Sequence, residues 1–400
     1  MPMSTEPTAP SAPVRWIRTP MELRALADEL RGARMLAVDS ESDSLHHYPE
    51  RVCLIQIADA AGRVSLLDPL ALGSLEPLSG ICADPAVTKV FHGASYDLSS
   101  MKRTFGFAFA GVFDTMLAAQ FLGLPALGLD ALLLRFFDLP AGPSLQKDDW
   151  GRRPLTAAQE AYAVEDVRHL IALRDRLLSL LAARGRTGWV AEECDALAAV
   201  PRADQAFEPA DYLRLKGAKA LDRRGLAVLH ELFVAREAWA RGRGRPPFKV
   251  LGGETMVRLA AERPRNRDGL GAIPGCTPKV VERYGEGLLR AIARGLAIPG
   301  DALPTFPRPS RPRTSPAVRR RMEALAAWRA AAATRLSLDP GLLLPRRLIE
   351  RVAEAALPRA EALSAVEGIR RWRIEALGDE IVATLQQATR SGRPSAEAAG

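Results

Sequence analysis

Asp39 and Glu41 in Met35-Leu36-Ala37-Val38-Asp39-Ser40-Glu41, Asp97 in His92-Gly93-Ala94-Ser95-Tyr96-Asp97-Leu98, and Asp166 in Tyr162-Ala163-Val164-Glu165-Asp166 are four carboxylates in three short motifs. Hard divalent cations such as Mg²⁺ take oxygen ligands and are commonly held by a few carboxylates plus substrate phosphate. Two such ions about 3.5 to 4 Å apart stabilise both the attacking and the leaving oxygen of an in-line displacement at phosphorus. A set of this kind is therefore suited to cutting a phosphodiester bond.

The elements that must position these groups can be read from the surrounding pattern. The apolar run Met35 to Val38 predicts a buried strand, and residues two apart on a strand share a face, so Asp39 and Glu41 can reach one site from its end. Asp97 follows a second strand-like run, Lys89 to His92, where a short loop turns into a helix. Tyr162 and Asp166 are four apart in an amphipathic pattern from Thr156 to Leu180, which puts them one turn apart on one helix face. Gathering so many anions is unfavourable unless cations compensate them, so metal binding is expected to raise the melting temperature.

Each motif taken alone has a structural use. Asp97 could cap the helix that follows it, and Asp114, before Thr115 to Leu122, is assigned that role, because an Asp side chain accepts from the free N–H groups of a first turn. It is their joint order and context that favours chemistry.

In order and setting the motifs resemble the DEDD exonuclease superfamily, and the Tyr four residues before the last Asp resembles its DEDDy branch. Within that branch the chain is similar to the ribonuclease D family from about Trp16 to Leu385. The resemblance implies an α/β RNase H-like exonuclease domain, with a mixed five-stranded sheet flanked by helices, followed by two all-α HRDC-like helical domains. It also implies 3′-to-5′ exonuclease activity on RNA with release of 5′-mononucleotides, and two divalent cations, Mg²⁺ or Mn²⁺, as cofactors. Carried over residue by residue, Asp39, Glu41, Asp97 and Asp166 become metal ligands, and Tyr162 becomes catalytic with them by orienting the attacking water or helping to deprotonate it. Orientation is favoured, because a free phenol titrates near pH 10.

One departure concerns the first motif, which in the family usually reads Asp-Thr-Glu-Phe. Here it is Asp39-Ser40-Glu41-Ser42, with a hydroxyl in place of the aromatic. Stacking of a base on an aromatic is worth about 1 to 3 kcal/mol, so the grip on the last nucleotide must come from elsewhere. His46, His47 and Tyr48 are candidates, although three such residues in a row also suit a plain loop. Gln56 matches the family's Leu-Ile-Gln pattern and is otherwise expected on the open face of the next strand.

The charge distribution fits a nucleic-acid partner. The 400 residues carry a net +8, yet residues 1–200 hold a net −6 and residues 201–400 a net +14. An acidic catalytic half is thus joined to a basic one, and basic surface is what phosphate-backbone binding needs. With 48% apolar residues the chain can bury more than one core, and its length suggests two or three domains. The expected boundaries are a disordered tail at 1–13, the exonuclease domain at 14–200, a first HRDC domain at 206–298, a Pro- and Arg-rich linker at 299–316, a second, diverged HRDC-like domain at 317–388, and a disordered tail at 391–400.

Tyr212-Leu213-Arg214-Leu215-Lys216-Gly217 and the turn Ile273-Pro274-Gly275 carry the HRDC resemblance, and Val366-Glu367-Gly368 echoes that turn in the second unit. A Gly-rich turn at a helix start can present N–H groups to phosphate or serve close packing. Trp239 and Trp328 follow similar helix openings and are read as core anchors.

Cys53, Cys82, Cys194 and Cys276 lie far apart, and the five His have no zinc-ligand spacing, so neither a zinc module nor a disulfide framework is indicated. No apolar run approaches a membrane span, and the first 13 residues lack the regions of a signal peptide. A cytoplasmic protein with no membrane partner is expected, with monomer favoured. Its partner is expected to be RNA, tRNA precursors or other 3′-extended RNA. A 3′-to-5′ DNA exonuclease acting in repair and a catalytically weak RNA-binding protein are the alternatives.

Overall fold

The computed structural model describes residues 14–202, 206–306 and 314–390, so both expected tails and residues 307–313 of the expected linker lie outside the described residues. Six strands form one mixed sheet in the order β1-β4-β3-β2-β5-β6, with β1 Arg15–Ile17, β2 Met35–Ser42, β3 Val52–Asp59, β4 Val64–Leu67, β5 Thr88–Phe91 and β6 Val112–Asp114. The β2–β3 and β3–β4 pairs are antiparallel, and β2–β5, β5–β6 and β1–β4 are parallel. Five strands were expected. The sixth is the three-residue β1, which adds to the edge of β4 and buries Ile17 completely, and it is too short to show a period in the sequence.

The sheet has an apolar layer on each face, and its alternation aims the chemistry. In β2, Leu36 and Val38 enter the core beneath the helices Pro20–Leu30 and Ser95–Phe105, whereas Ala37 enters the opposite one. Asp39 and Glu41 continue the Ala37 series, so they point toward the face covered by the helix Ala157–Arg168. The strand also runs four residues beyond Val38, which places both carboxylates inside it.

The single amphipathic stretch expected from Thr156 to Leu180 is two helices, Ala157–Arg168 and Leu170–Ala183. His169 separates them with φ −104° and ψ −2°. Its ring stacks on Phe137, and its Nε2 lies 3.4 Å from Glu165. Those side-chain contacts hold the break where no Pro or Gly marks it.

Gln56 is another correction. It stands opposite Asp39 in the β2–β3 register and is fully buried, and among the described residues neither amide atom has a hydrogen-bond partner. The helix Ala157–Arg168 packs across β3, so this strand has no open face there.

Two helical bundles follow. The first is built from Arg223–Arg243, Gly253–Glu262 and Pro278–Ala297 with short turns of helix between and before them, and the second from Pro316–Leu336, Arg346–Ala355 and Arg371–Arg390. Residues 299–306 stay against the first bundle, with Phe306 packed on its core and Arg223 donating to the Leu303 carbonyl at 2.6 Å. Gly275 and Gly368, equivalent in the two repeats, have φ of +94° and +86°. At Gly275 a Cβ would fall 2.1 Å from Thr255 Oγ1, so the turn serves close packing. Trp239 and Trp328 are partly buried against their cores; Trp239 stacks on Tyr284, and Trp328 Nε1 donates to Glu380 at 2.9 Å.

The second bundle shares one continuous apolar core with the catalytic domain. Trp189 and Trp372 stack at 4.5 Å and 19°, with Phe121 edge-on to both. The Glu192 carboxylate accepts the first free N–H groups of the helix Arg371–Arg390, from Arg371 at 2.7 Å and Trp372 at 2.8 Å. A carboxylate on one domain thereby caps a helix on another. The first bundle touches the catalytic domain at Tyr48, whose hydroxyl donates to Glu237 at 2.7 Å and whose N–H donates to the Gly244 carbonyl.

Candidate active site

Asp39, Glu41 and Asp166 each bring one carboxylate oxygen into a group whose members lie within 4.8 Å of one another. The group sits in a pocket of about 400 Å³ whose wall also includes Ser40, Asp97 and Tyr162. Asp97 stands apart from the triplet, and its Oδ1 accepts from Ser40 Oγ at 2.5 Å. All five residues singled out in the sequence therefore share one cavity, three with converging oxygens and one turned to the serine between the first two.

Asp97 is placed by the turn between β5 and the helix Ser95–Phe105. Gly93 takes φ +76°, a conformation that L side chains rarely adopt, and the N–H groups of Gly93 and Ala94 both donate to Asp114 at 2.9 Å. Asp114 also accepts from Met116 and Leu117. It caps the helix Thr115–Phe121 as expected and, beyond that, fixes the loop carrying Asp97. Tyr162 lies beside the buried Trp150, ring centroids 6.1 Å apart.

The electrostatics are those of an anionic cluster without a balancing charge. Burial, then Asp97, Asp166 and Glu41, hold Asp39 well above the usual carboxylate range. Burial and the same neighbours push Glu41 up to about 9. Asp166 rises to about 7 through burial and Asp130, and Asp97 to about 6 through burial, which the Ser40 hydrogen bond opposes. Burial and the facing carboxylates move the Tyr162 phenol further above its ordinary range, away from service as a free base. Among the described residues no Lys or Arg lines this pocket. Oxygen donors crowded without a protein cation fit a divalent metal ion.

Several wall residues went unnoticed in the sequence. Asp130, Gln146 and Tyr96 line the wall; Asp130 raises the pKa of Asp166, and Asp148, outside the lining, raises that of Glu41. His92, also in the wall, is held by Thr115 Oγ1 at 2.9 Å, and burial lowers its pKa. His92 and Tyr96 belong to the motif that contains Asp97, whereas Asp130 and Gln146 stand in segments with no pattern of their own. His46, His47 and Tyr48 are absent from this wall; His46 contacts the Lys147 carbonyl and His47 the Pro49 carbonyl, each at 2.9 Å.

A mixed sheet whose pocket gathers these carboxylates, followed by helical bundles, is compatible with a metal-dependent nuclease. Residues 14–182 match the family model for 3′-5′ exonuclease, and residues 225–292 and 318–385 each match that for the HRDC domain. The chain is 30% identical over 383 residues to ribonuclease D of Pseudomonas paraeruginosa, covering 95% of this chain and 99% of that one. Ribonuclease D of Gluconacetobacter diazotrophicus is 32% identical over 371 residues, 92% of this chain and 91% of its own. Among solved structures, Escherichia coli RNase D, an exoribonuclease involved in structured RNA processing, superposes with a TM-score of 0.69 at 25% identity, covering 94% of this chain and 99% of that one.

The chain belongs to the ribonuclease D family. It is a 3′-5′ exoribonuclease, a phosphodiester hydrolase with an exonuclease domain and two HRDC domains. Among the described residues no helix is long and apolar enough to cross a membrane.

Proposed function

We propose that Asp39, Glu41, Asp97 and Asp166 hold two divalent cations, Mg²⁺ or Mn²⁺, and that the enzyme removes 5′-mononucleotides one at a time from the 3′ end of structured RNA such as tRNA precursors. The observation that carries this reading is the convergence of Asp39, Glu41 and Asp166 oxygens within 4.8 Å in a pocket shared with Asp97 and Tyr162. When bound, divalent cations acidify water and offset the charge that develops on the phosphate oxygens. The remaining work falls to the protein. Tyr162, kept protonated by its surroundings, donates a hydrogen bond that orients the attacking water. Ser40 fixes Asp97 by a hydrogen bond to its carboxylate.

The basic half, net +14 over residues 201–400, supports a role for the HRDC domains in gripping the RNA backbone. The test is digestion of a 5′-labelled, 3′-extended tRNA and its DNA counterpart with Mg²⁺, Mn²⁺ or EDTA. A metal-dependent ladder shortening the RNA from its 3′ end supports the reading; faster removal of deoxynucleotides contradicts the substrate assignment.

A further inference from the structure

Tyr96 occupies the second position of the helix Ser95–Phe105, next to Asp97, and its side chain lines the pocket that holds the carboxylates. It is 46% exposed, one of few large hydrophobic residues left so open among the described residues. Its hydroxyl is fixed at two points. One is Ser42 Oγ at 2.6 Å, and the other is Glu50 Oε2, to which it donates at 3.2 Å. Glu50 is itself tied to Arg103, two turns further along the same helix. Among the described residues no other aromatic ring pairs with it.

An aromatic ring pinned by its polar end and half exposed beside a phosphodiester-cutting site has little conformational freedom left to lose on meeting a flat ligand. Every nucleobase offers such a face, and stacking is indifferent to sequence. The apolar side chains of Met116 and Leu129 line the same pocket. Trp150, by contrast, is fully buried behind Tyr162 and offers no exposed face.

We propose that Tyr96 is the platform on which the 3′-terminal nucleobase of the substrate stacks, and that Ser42 is a positioning residue that holds the ring by its hydroxyl. The inference rests on the assignment of the neighbouring carboxylates as the hydrolytic centre. Ser42, which stands where the family's first motif usually has an aromatic, thus anchors a ring supplied by the second motif.

The test crosses protein and substrate deletions. Wild type and Tyr96→Ala are each assayed for KM and kcat on a single-stranded RNA with an intact 3′ nucleotide and on the same RNA whose 3′ nucleotide is abasic. Wild type is expected to lose roughly 5- to 150-fold in KM on the abasic end, the range set by stacking of one base. Tyr96→Ala is expected to show that loss on intact RNA and no further loss on the abasic end. Tyr96→Phe and Tyr96→Trp should restore discrimination, and Tyr96→Leu, which keeps bulk without the ring, should not. Ser42→Ala should lose part of the discrimination in wild type and none in the Tyr96→Ala background.

An equal KM penalty from Tyr96→Ala on both substrates, or full discrimination by Tyr96→Leu, would overturn the proposal. Failure of the underlying site assignment has a separate signature: Asp39→Asn would then keep wild-type kcat on both RNAs.

Discussion

Ser40 Oγ donates to Asp97 Oδ1 at 2.5 Å, so the residue between two carboxylates of the first motif holds the carboxylate of the second, 57 positions away. The bond favours the ionised form of Asp97 against burial, which pushes the other way. Removing a partner that orients a metal-binding carboxylate typically costs about 10- to 100-fold in metal affinity or activity. Ser40→Ala should therefore raise the Mg²⁺ concentration needed for half-maximal activity by about that factor, and Ser40→Thr should restore it, as read from activity across a Mg²⁺ titration. Unchanged Mg²⁺ requirement in Ser40→Ala would remove this bond from the site.

Burial and the facing carboxylates hold the Tyr162 phenol above its ordinary range, so in the proposed mechanism it acts as a hydrogen-bond donor. Tyr162→Phe keeps the ring against Trp150 and deletes only the hydroxyl. Turnover should fall about 10²-fold or more with little change in RNA affinity. Wild-type turnover would exclude it from the mechanism.

The carboxylates also set a pH dependence of stability. In the metal-free protein Asp97, Asp166 and Glu41 have pKa values raised to about 6, 7 and 9, above those of an unfolded chain. The folded state then binds more protons than the unfolded one, so the stability these groups contribute is full below about pH 4 and is lost as pH rises through those values. The melting temperature of the EDTA-treated enzyme should fall from pH 5 to pH 9 more steeply than that of Asp166→Asn, and Mg²⁺ should flatten the difference. Parallel curves with and without Mg²⁺ would show that the cluster is not where the ion binds.

Docking of the second bundle depends on Glu193, which accepts from Arg373 at 2.5 Å and from Trp372 Nε1 at 3.0 Å. Arg373 is 4% exposed, and a buried charge deprived of its partner costs about 3 to 5 kcal/mol. Glu193→Ala should lower the urea midpoint accordingly, and Glu193→Gln, which retains acceptors, should do so less.

How much of this was legible depended on the range of the signal. Asp39, Glu41, Asp97, Tyr162 and Asp166 sit in local patterns whose periods of two and four fix their faces, and the structure places all five around one pocket. Two helical units were visible in the periodicity, and their resemblance to HRDC domains rested on Tyr212 to Gly217 and the turn repeated at Gly275 and Gly368. Contacts that span the chain left no such trace. Nothing local says that Gln56 is covered by a helix more than a hundred residues later, or that Glu192 caps the helix beginning at Arg371. The place of Tyr96 was hidden for a related reason. The departure at Ser42 drew attention to its sequence neighbours His46, His47 and Tyr48, while the ring it contacts lies 54 residues away.

The most direct test of the carboxylate site is single-turnover hydrolysis beside equilibrium RNA binding for Asp39→Asn and Asp166→Asn. Each substitution keeps the side-chain shape and removes one negative charge. Turnover near zero with RNA affinity close to that of the unsubstituted enzyme is expected for both. Retained turnover in either would contradict the assignment of these carboxylates to the hydrolytic centre.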